Sequence, residues 1–150
     1  MNSKKKEFGV YQVGQKILLH RADGKVLILR LKSGRFDLPG GRIDNIEYRM
    51  PLEKILAREI REELGGEVKY KLGPTAFQYH FPHKNGGIFQ TVYEADYLAG
   101  EIKLSSEHRS FMWVSPESFR FHRKDFPVFA TYLGFKKYFQ KYHEGENTAK

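Results

Sequence analysis

The sequence contains no cysteine. That absence removes disulfide cross-links, thiolate nucleophiles and the commonest structural zinc sites at once. It also leaves no thiol from which to read a redox compartment. No stretch approaches the ~18 consecutive apolar residues of a membrane span, so no membrane partner is expected. The opening residues carry Lys4, Lys5 and Lys6 without the apolar stretch of a secretory signal, and the expectation is a cytoplasmic protein. Internal repeats and low-complexity linkers are lacking too, which argues against a solenoid or a tethered array.

What remains is a chain of 150 residues, read as one domain over 1–150 with loose polar ends at 1–6 and 144–150. Twelve Phe and nine Tyr are enough to supply much of a core. The formal charge of +8 raises the question of nucleic acid. Lys and Arg are spread from Lys4 to Lys150 instead of forming one stripe, and no nucleic-acid-binding motif accompanies them, so a dedicated binding module is disfavoured. Drawing in a small polyanion needs only the general field.

Val10–His20 and Lys25–Leu31 read as strands joined by the turn signal Asp23-Gly24. Pro39-Gly40-Gly41 must be a loop. A helix is expected from about Pro51 to Leu64, with Pro at its start and Gly65-Gly66 at its end. Strands follow near Glu67–Leu72, Ala76–Phe81 and Ile88–Leu98, with Lys84-Asn85-Gly86-Gly87 turning between the last two. A short strand at Met112–Val114 precedes Ser115-Pro116-Glu117, which reads as a cap and first turn. Val128, Tyr132, Phe135 and Phe139 have helical spacing within Pro127–Tyr142. The fold class is therefore mixed α/β (α+β), a mixed sheet flanked by helices.

The helix at 51–64 carries the chemistry. At about 100° per residue, Leu52, Ile55, Leu56, Ile60 and Leu64 form its apolar sector. Glu59 and Glu63 project within that sector and Glu62 at its edge, while Lys54, Arg58 and Arg61 take the opposite side. A surface helix ordinarily turns its carboxylates to water. Three acids at i, i+3 and i+4 repel one another, and partial burial raises that cost. Arg58 can hold Glu62 at i+4, which leaves Glu59 and Glu63 uncompensated. A hard divalent cation such as Mg²⁺, which takes carboxylates, water and phosphate oxygens, would satisfy all three. One or two acids at an apolar edge also occur without metal, so the residues upstream decide the reading.

Upstream stand Pro39-Gly40-Gly41 and Glu47, and Arg58-Glu59-Ile60-Arg61-Glu62-Glu63-Leu64-Gly65 follows. Together they resemble the signature of the Nudix hydrolase family, in which Gly and Glu are separated by five residues, as Gly41 and Glu47 are. The resemblance extends to Phe36-Asp37-Leu38-Pro39-Gly40-Gly41, to Trp113-Val114-Ser115-Pro116-Glu117, and to Glu107 shortly before that Trp. It spans about Gly9 to Tyr142. Two departures stand out. Ten residues separate Glu47 from Arg58 where the family has seven, so about three are inserted around Tyr48-Arg49-Met50 and no role carries over to Glu47. Gly66 replaces an apolar residue.

The resemblance implies an α/β/α sandwich and a hydrolase that cuts the pyrophosphate link of a nucleoside diphosphate derivative. It further implies Mg²⁺, with Mn²⁺ as a substitute, on Glu59, Glu62, Glu63 and Glu107. Gly40 and Gly41 would let backbone approach metal and phosphate. Glu62, Glu63 or Glu107 would accept a proton from water, and Arg58 would orient Glu62. The partner so implied is a small nucleotide-type substrate, and the assembly state is open, a homodimer included. An RNA 5′-end pyrophosphohydrolase and a non-catalytic nucleotide sensor are the alternatives. His80 and His83 lack a third zinc ligand nearby. His108, Arg109, His122, Arg123 and Lys124 read mostly as solvated surface, and Phe126, Phe129, Tyr132, Phe135 and Phe139 as a helix packed on the sheet.

Overall fold

Gly24, with φ of 85°, supplies the left-handed residue that a tight reversal needs. It returns the chain from a ten-residue strand, Tyr11–His20 (β1), into Val26–Leu31 (β2). The computed structural model describes residues 5–148, with side chains as far as Glu144. Beyond the hairpin come Phe36–Asp37 (β3), Gly40–Arg42 (β4), the helix Leu52–Leu64 (α1), Lys69–His83 (β5), Gly86–Ala99 (β6), His108–Val114 (β7) and the helix Phe129–Thr148 (α2). The seven strands form one sheet in the order β3-β2-β1-β6-β5, with β4 paired to β1 and β7 paired to β2. β1 and β6 run parallel and the other pairs antiparallel, so the sheet is mixed.

The central strands are buried on both faces, and alternate residues feed two separate cores. Ile17, Leu19, Leu27 and Leu29 pack with Leu56, Ile60 and Leu64 of α1. Leu18, Val26 and Ile28 pack on the other face with Phe126 and with Phe135, Tyr138 and Phe139 of α2. One helix lies on each face, which is an α/β/α sandwich. No helix among the described residues is long and apolar enough to cross a membrane.

Several elements differ from the sequence reading. The two strands expected at Glu67–Leu72 and Ala76–Phe81 are one strand, β5, because register shifts between Leu72 and Phe77 absorb Gly73-Pro74 as an irregularity within the ladder. β7 begins at His108 instead of Met112, since its pairing with β2 continues to Leu31 opposite His108. Ser115-Pro116-Glu117 forms a single turn, closed by Ser118 and Phe119 N–H groups on the Ser115 carbonyl, and starts no helix. α2 continues past Tyr142 to Thr148, so the loose segment expected at 144–150 is helical as far as it is described. Residues 1–4 and 149–150 of the expected loose ends lie outside the described residues.

Phe135 is fully buried, its ring centroid 4.7 Å from that of Phe126 and 5.7 Å from that of Phe139. Phe129, at the start of the same helix, is 52% exposed. Phe135→Ala should lower unfolding free energy by about 3–5 kcal/mol through the cavity it leaves. Phe129→Ala should change it by about 0.5 kcal/mol or less, and urea melts of the two variants check the contrast.

Candidate active site

The site is built where the loop between β3 and β4 meets the second half of α1. Gly40 has φ of 139°, and a Cβ there would stand 2.0 Å from the Gln15 carbonyl oxygen, so only glycine fits this approach of β4 to β1. Its N–H, turned toward α1, donates to Glu63 Oε2 at 2.9 Å. A Cβ on Gly41 would lie 2.3 Å from Glu59 Oε2. The carboxylate of Glu59 therefore rests directly on the backbone of Gly41. The four residues named from sequence as acids and backbone approach points meet here in two contacts.

The three helix acids sit at graded depths. Glu63 is 6% exposed, the Glu59 side chain 15% and the Glu62 side chain 60%. Burial pushes the Glu63 carboxyl up to about 7, although Lys16 and the Gly40 N–H pull the other way. Burial raises Glu59 too, against the attraction of Arg58. Leu52, assigned to the apolar sector, is half exposed.

Arg58 does more than hold Glu62. Its Nε donates to Glu47 Oε2 at 2.7 Å and its Nη2 to Glu47 Oε1 at 2.5 Å, a two-pronged pair. The same guanidinium lies 2.9 Å from Glu59 and 3.2 Å from Glu62. It thus holds Glu62 as expected and also reaches Glu59, which the sequence reading left without a neighbour on the helix. Glu47, to which the sequence assigned no role, is 3% exposed and also accepts the Asp44 N–H at 2.9 Å. Hydrogen bonds from Arg58 hold its carboxyl below the usual range. The inserted residues bow outward, Tyr48 being 83% exposed, and so leave Glu47 in place.

Beneath Glu63 lies a charged row that the sequence did not reveal. Lys16 Nζ is 2.9 Å from Asp37 Oδ1 and also donates to the Leu38 carbonyl at 3.1 Å. Asp37 Oδ2 in turn is 2.8 Å from His108 Nε2. Burial would raise Asp37, but Lys16 and His108 overcome it and hold the carboxyl down at about 2. Burial likewise opposes charge on Lys16 and His108, yet Asp37 and Glu63 keep both raised. His108, read as solvated surface, is 4% exposed. The β2 register explains why: β3 sets Asp37 opposite Leu29, and β7 sets His108 opposite Leu31.

Glu107 arrives from the opposite direction. The C-terminal carbonyls of α1 need donors. Lys103 N–H supplies one to Leu64 at 2.8 Å, and Ser105 N–H one to Glu63 at 3.2 Å. That docking brings Glu107 into a group with Glu63 and His108 in which one donor atom from each lies within 4.8 Å of the others. Glu107 is exposed at the rim of this group. The charge and donor chemistry fit a divalent cation. Carboxylate oxygens converge on a glycine-lined approach, and one of them is desolvated with no ion pair to a cation among the described residues.

A cleft of about 630 Å³ lies elsewhere, between β5 and α2 around Phe77, Tyr79 and Tyr138, and contains none of these acids. A smaller one of about 150 Å³ is lined by Lys16, Asp37, Tyr79 and Gln90 and adjoins the charged row. Volume alone therefore does not locate the chemistry. Of the residues missed, Lys16 left a signal, being a lone cation ahead of the apolar run Ile17-Leu18-Leu19, and Glu47 stood inside the motif. Asp37 and His108 left none individually.

The family model described as NUDIX domain matches residues 10–132. No curated protein matches the chain in sequence. Among solved structures, a MutT protein from Methanosarcina mazei is 25% identical with a TM-score of 0.68, over 94% of this chain and 99% of that one. A MutT NUDIX hydrolase from Burkholderia pseudomallei is 25% identical with a TM-score of 0.63, over 85% and 97%. An Ap4A hydrolase from C. elegans shares the fold at 16% identity and a TM-score of 0.61, over 89% and 98%. The chain belongs to the NUDIX domain family and is a hydrolase of pyrophosphate bonds.

Two outcomes test the geometry. Gly41→Ala places a methyl where the Glu59 carboxylate lies, so divalent-ion affinity by calorimetry should fall at least about tenfold while thermal stability changes little. The second concerns pH. The raised Glu63 carboxyl contributes stability that is complete below its ordinary 4.5 and is lost as pH rises through about 7. In chelator, Glu63→Gln should therefore gain on the native protein between pH 5 and 8, by up to about 3 kcal/mol in urea melts.

Proposed function

We propose that this hydrolase acts on a nucleoside diphosphate linked to a further group, with Mg²⁺ as the natural cofactor and Mn²⁺ as a substitute. The observation that carries the reading is the pair of contacts at Gly40 and Gly41, which hold Glu63 and Glu59 partly dehydrated at one end of α1. Carboxylates are kept in that condition where a cation and a phosphate chain are to be gathered.

Glu59, Glu62 and Glu63 are the residues that would hold the ion, joined by Glu107. The ion would supply charge neutralisation at the phosphate oxygens and a more acidic water. Arg58, locked by Glu47, keeps Glu59 and Glu62 from repelling one another out of position. The carboxylate of Glu107 is exposed and is assigned the proton of the attacking water. The water oxygen bonds to one phosphorus, the bridging P–O bond breaks, and the departing phosphate keeps the electron pair. Lys16 and the small cleft beside it suit the remainder of a small nucleotide, with a cation for phosphate and Gln90 and Tyr79 for polar and aromatic contact.

Glu63→Gln should lower Mg²⁺-dependent kcat by about 10²–10³-fold or more with circular dichroism unchanged. A panel of nucleoside triphosphates, nucleotide sugars, dinucleoside polyphosphates and ADP-ribose, hydrolysed in ¹⁸O-labelled water, would identify the substrate and the phosphorus attacked. Absence of turnover on the whole panel in millimolar Mg²⁺, with nucleotide still bound, would overturn the reading in favour of a nucleotide sensor.

A further inference from the structure

The carboxylates of the site are hard oxygen donors, and a site made only of them suits Mg²⁺. His108 breaks that uniformity. It is 96% buried, sits in the same donor group as Glu63 and Glu107, and has one ring nitrogen, Nδ1, with no hydrogen-bond partner among the described residues. A buried polar atom left without a partner is destabilising, so its retention asks for a ligand. The other nitrogen, Nε2, is committed to Asp37 at 2.8 Å. Asp37 is itself paired with Lys16 Nζ at 2.9 Å through its other oxygen, so it serves as the acceptor and Nε2 carries the hydrogen. A carboxylate that takes the N–H of one ring nitrogen and leaves the other without a protein partner is the support that metal-bound imidazoles have.

We propose that His108 Nδ1 is a nitrogen ligand of the divalent ion, beside Glu63 and Glu107, and that this site therefore retains Mn²⁺ or a similar transition ion more tightly than Mg²⁺. The inference rests on reading the acidic cluster as a metal site. Imidazole nitrogen adds affinity along the transition series and adds little for Mg²⁺, which holds oxygen ligands and water. Nδ1 would have to be free of a proton to hold the ion, so binding through it would weaken as pH falls. Asp37 is a positioning residue in this arrangement, since it sets the ring's orientation, and Lys16 holds Asp37.

The experiment uses the full chain loaded with Mn²⁺ and read by pulsed electron paramagnetic resonance, which detects nitrogen bound directly to manganese. The unsubstituted protein should show nitrogen coupling that changes when its histidines carry ¹⁵N. His108→Gln should lose the coupling and weaken Mn²⁺ binding at least tenfold, while Mg²⁺ affinity changes less than threefold. His80→Gln combined with His83→Gln should keep the coupling, which separates the buried histidine from the surface pair and does not depend on the His108 variant folding. Bound Mn²⁺ without nitrogen coupling, an equal loss for both ions in His108→Gln, or no Mn²⁺ binding each overturns the proposal. Turnover of nucleotides by the same preparation in Mg²⁺ tells the failures apart: hydrolysis without nitrogen coupling removes His108 from the ion and leaves the proposed function standing.

Discussion

The Glu63 carboxylate is held out of water under the N–H of Gly40, and most of the surrounding architecture follows from keeping it there. A dehydrated carboxylate is unfavourable unless donors and cations surround it. Gly40 supplies one donor, and supplies it only because a glycine lets β4 come that close to β1. Lys16, Asp37 and His108 make a row of alternating charge alongside, in which each member keeps its neighbour ionised. The cost of that burial is borne by the rest of the fold, whose two aromatic and aliphatic cores fix the sheet and α1 relative to one another.

The same constraint explains the division of labour among the acids. Depth falls from Glu63 through Glu59 to Glu62, so one helix presents carboxylates ranging from buried to largely exposed. Arg58 bridges the outer two and is itself gripped by Glu47, which gives the cluster a cationic backing. Glu107 stands apart from this framework. Its position depends on the segment 103–105 capping α1, so a requirement of helix ends, satisfaction of the last carbonyls, is what delivers an acid to the site.

Both helices, the first hairpin and the glycine loop were legible in the sequence because each is specified locally. Asp23-Gly24, Pro51 and Gly65-Gly66 are turn and helix-end chemistry, and the acids of α1 follow from a 3.6-residue period. The break read at Gly73-Pro74 was misjudged for a comparable reason: a glycine-proline pair is a strong local breaker, and only pairing with β6 on either side carries the strand through it. Glu47 was set aside because the inserted residues spoiled a sequence spacing. Spacing along a loop is not distance, and Tyr48 and its neighbours bulge outward without moving the carboxylate.

By itself the sequence determined which residues could meet on one side of one helix, the glycines beside them, and through the motif the family and its class of reaction. Local stereochemistry suffices for that, since helix period and glycine's freedom act within a few residues. The tertiary structure decided which charges became neighbours. Asp37 and His108 are 71 residues apart in the chain and 2.8 Å apart in space because β2 pairs with both of their strands. No pattern along the chain encodes that proximity. It is set by strand register and by desolvation, which exist only once the sheet has formed.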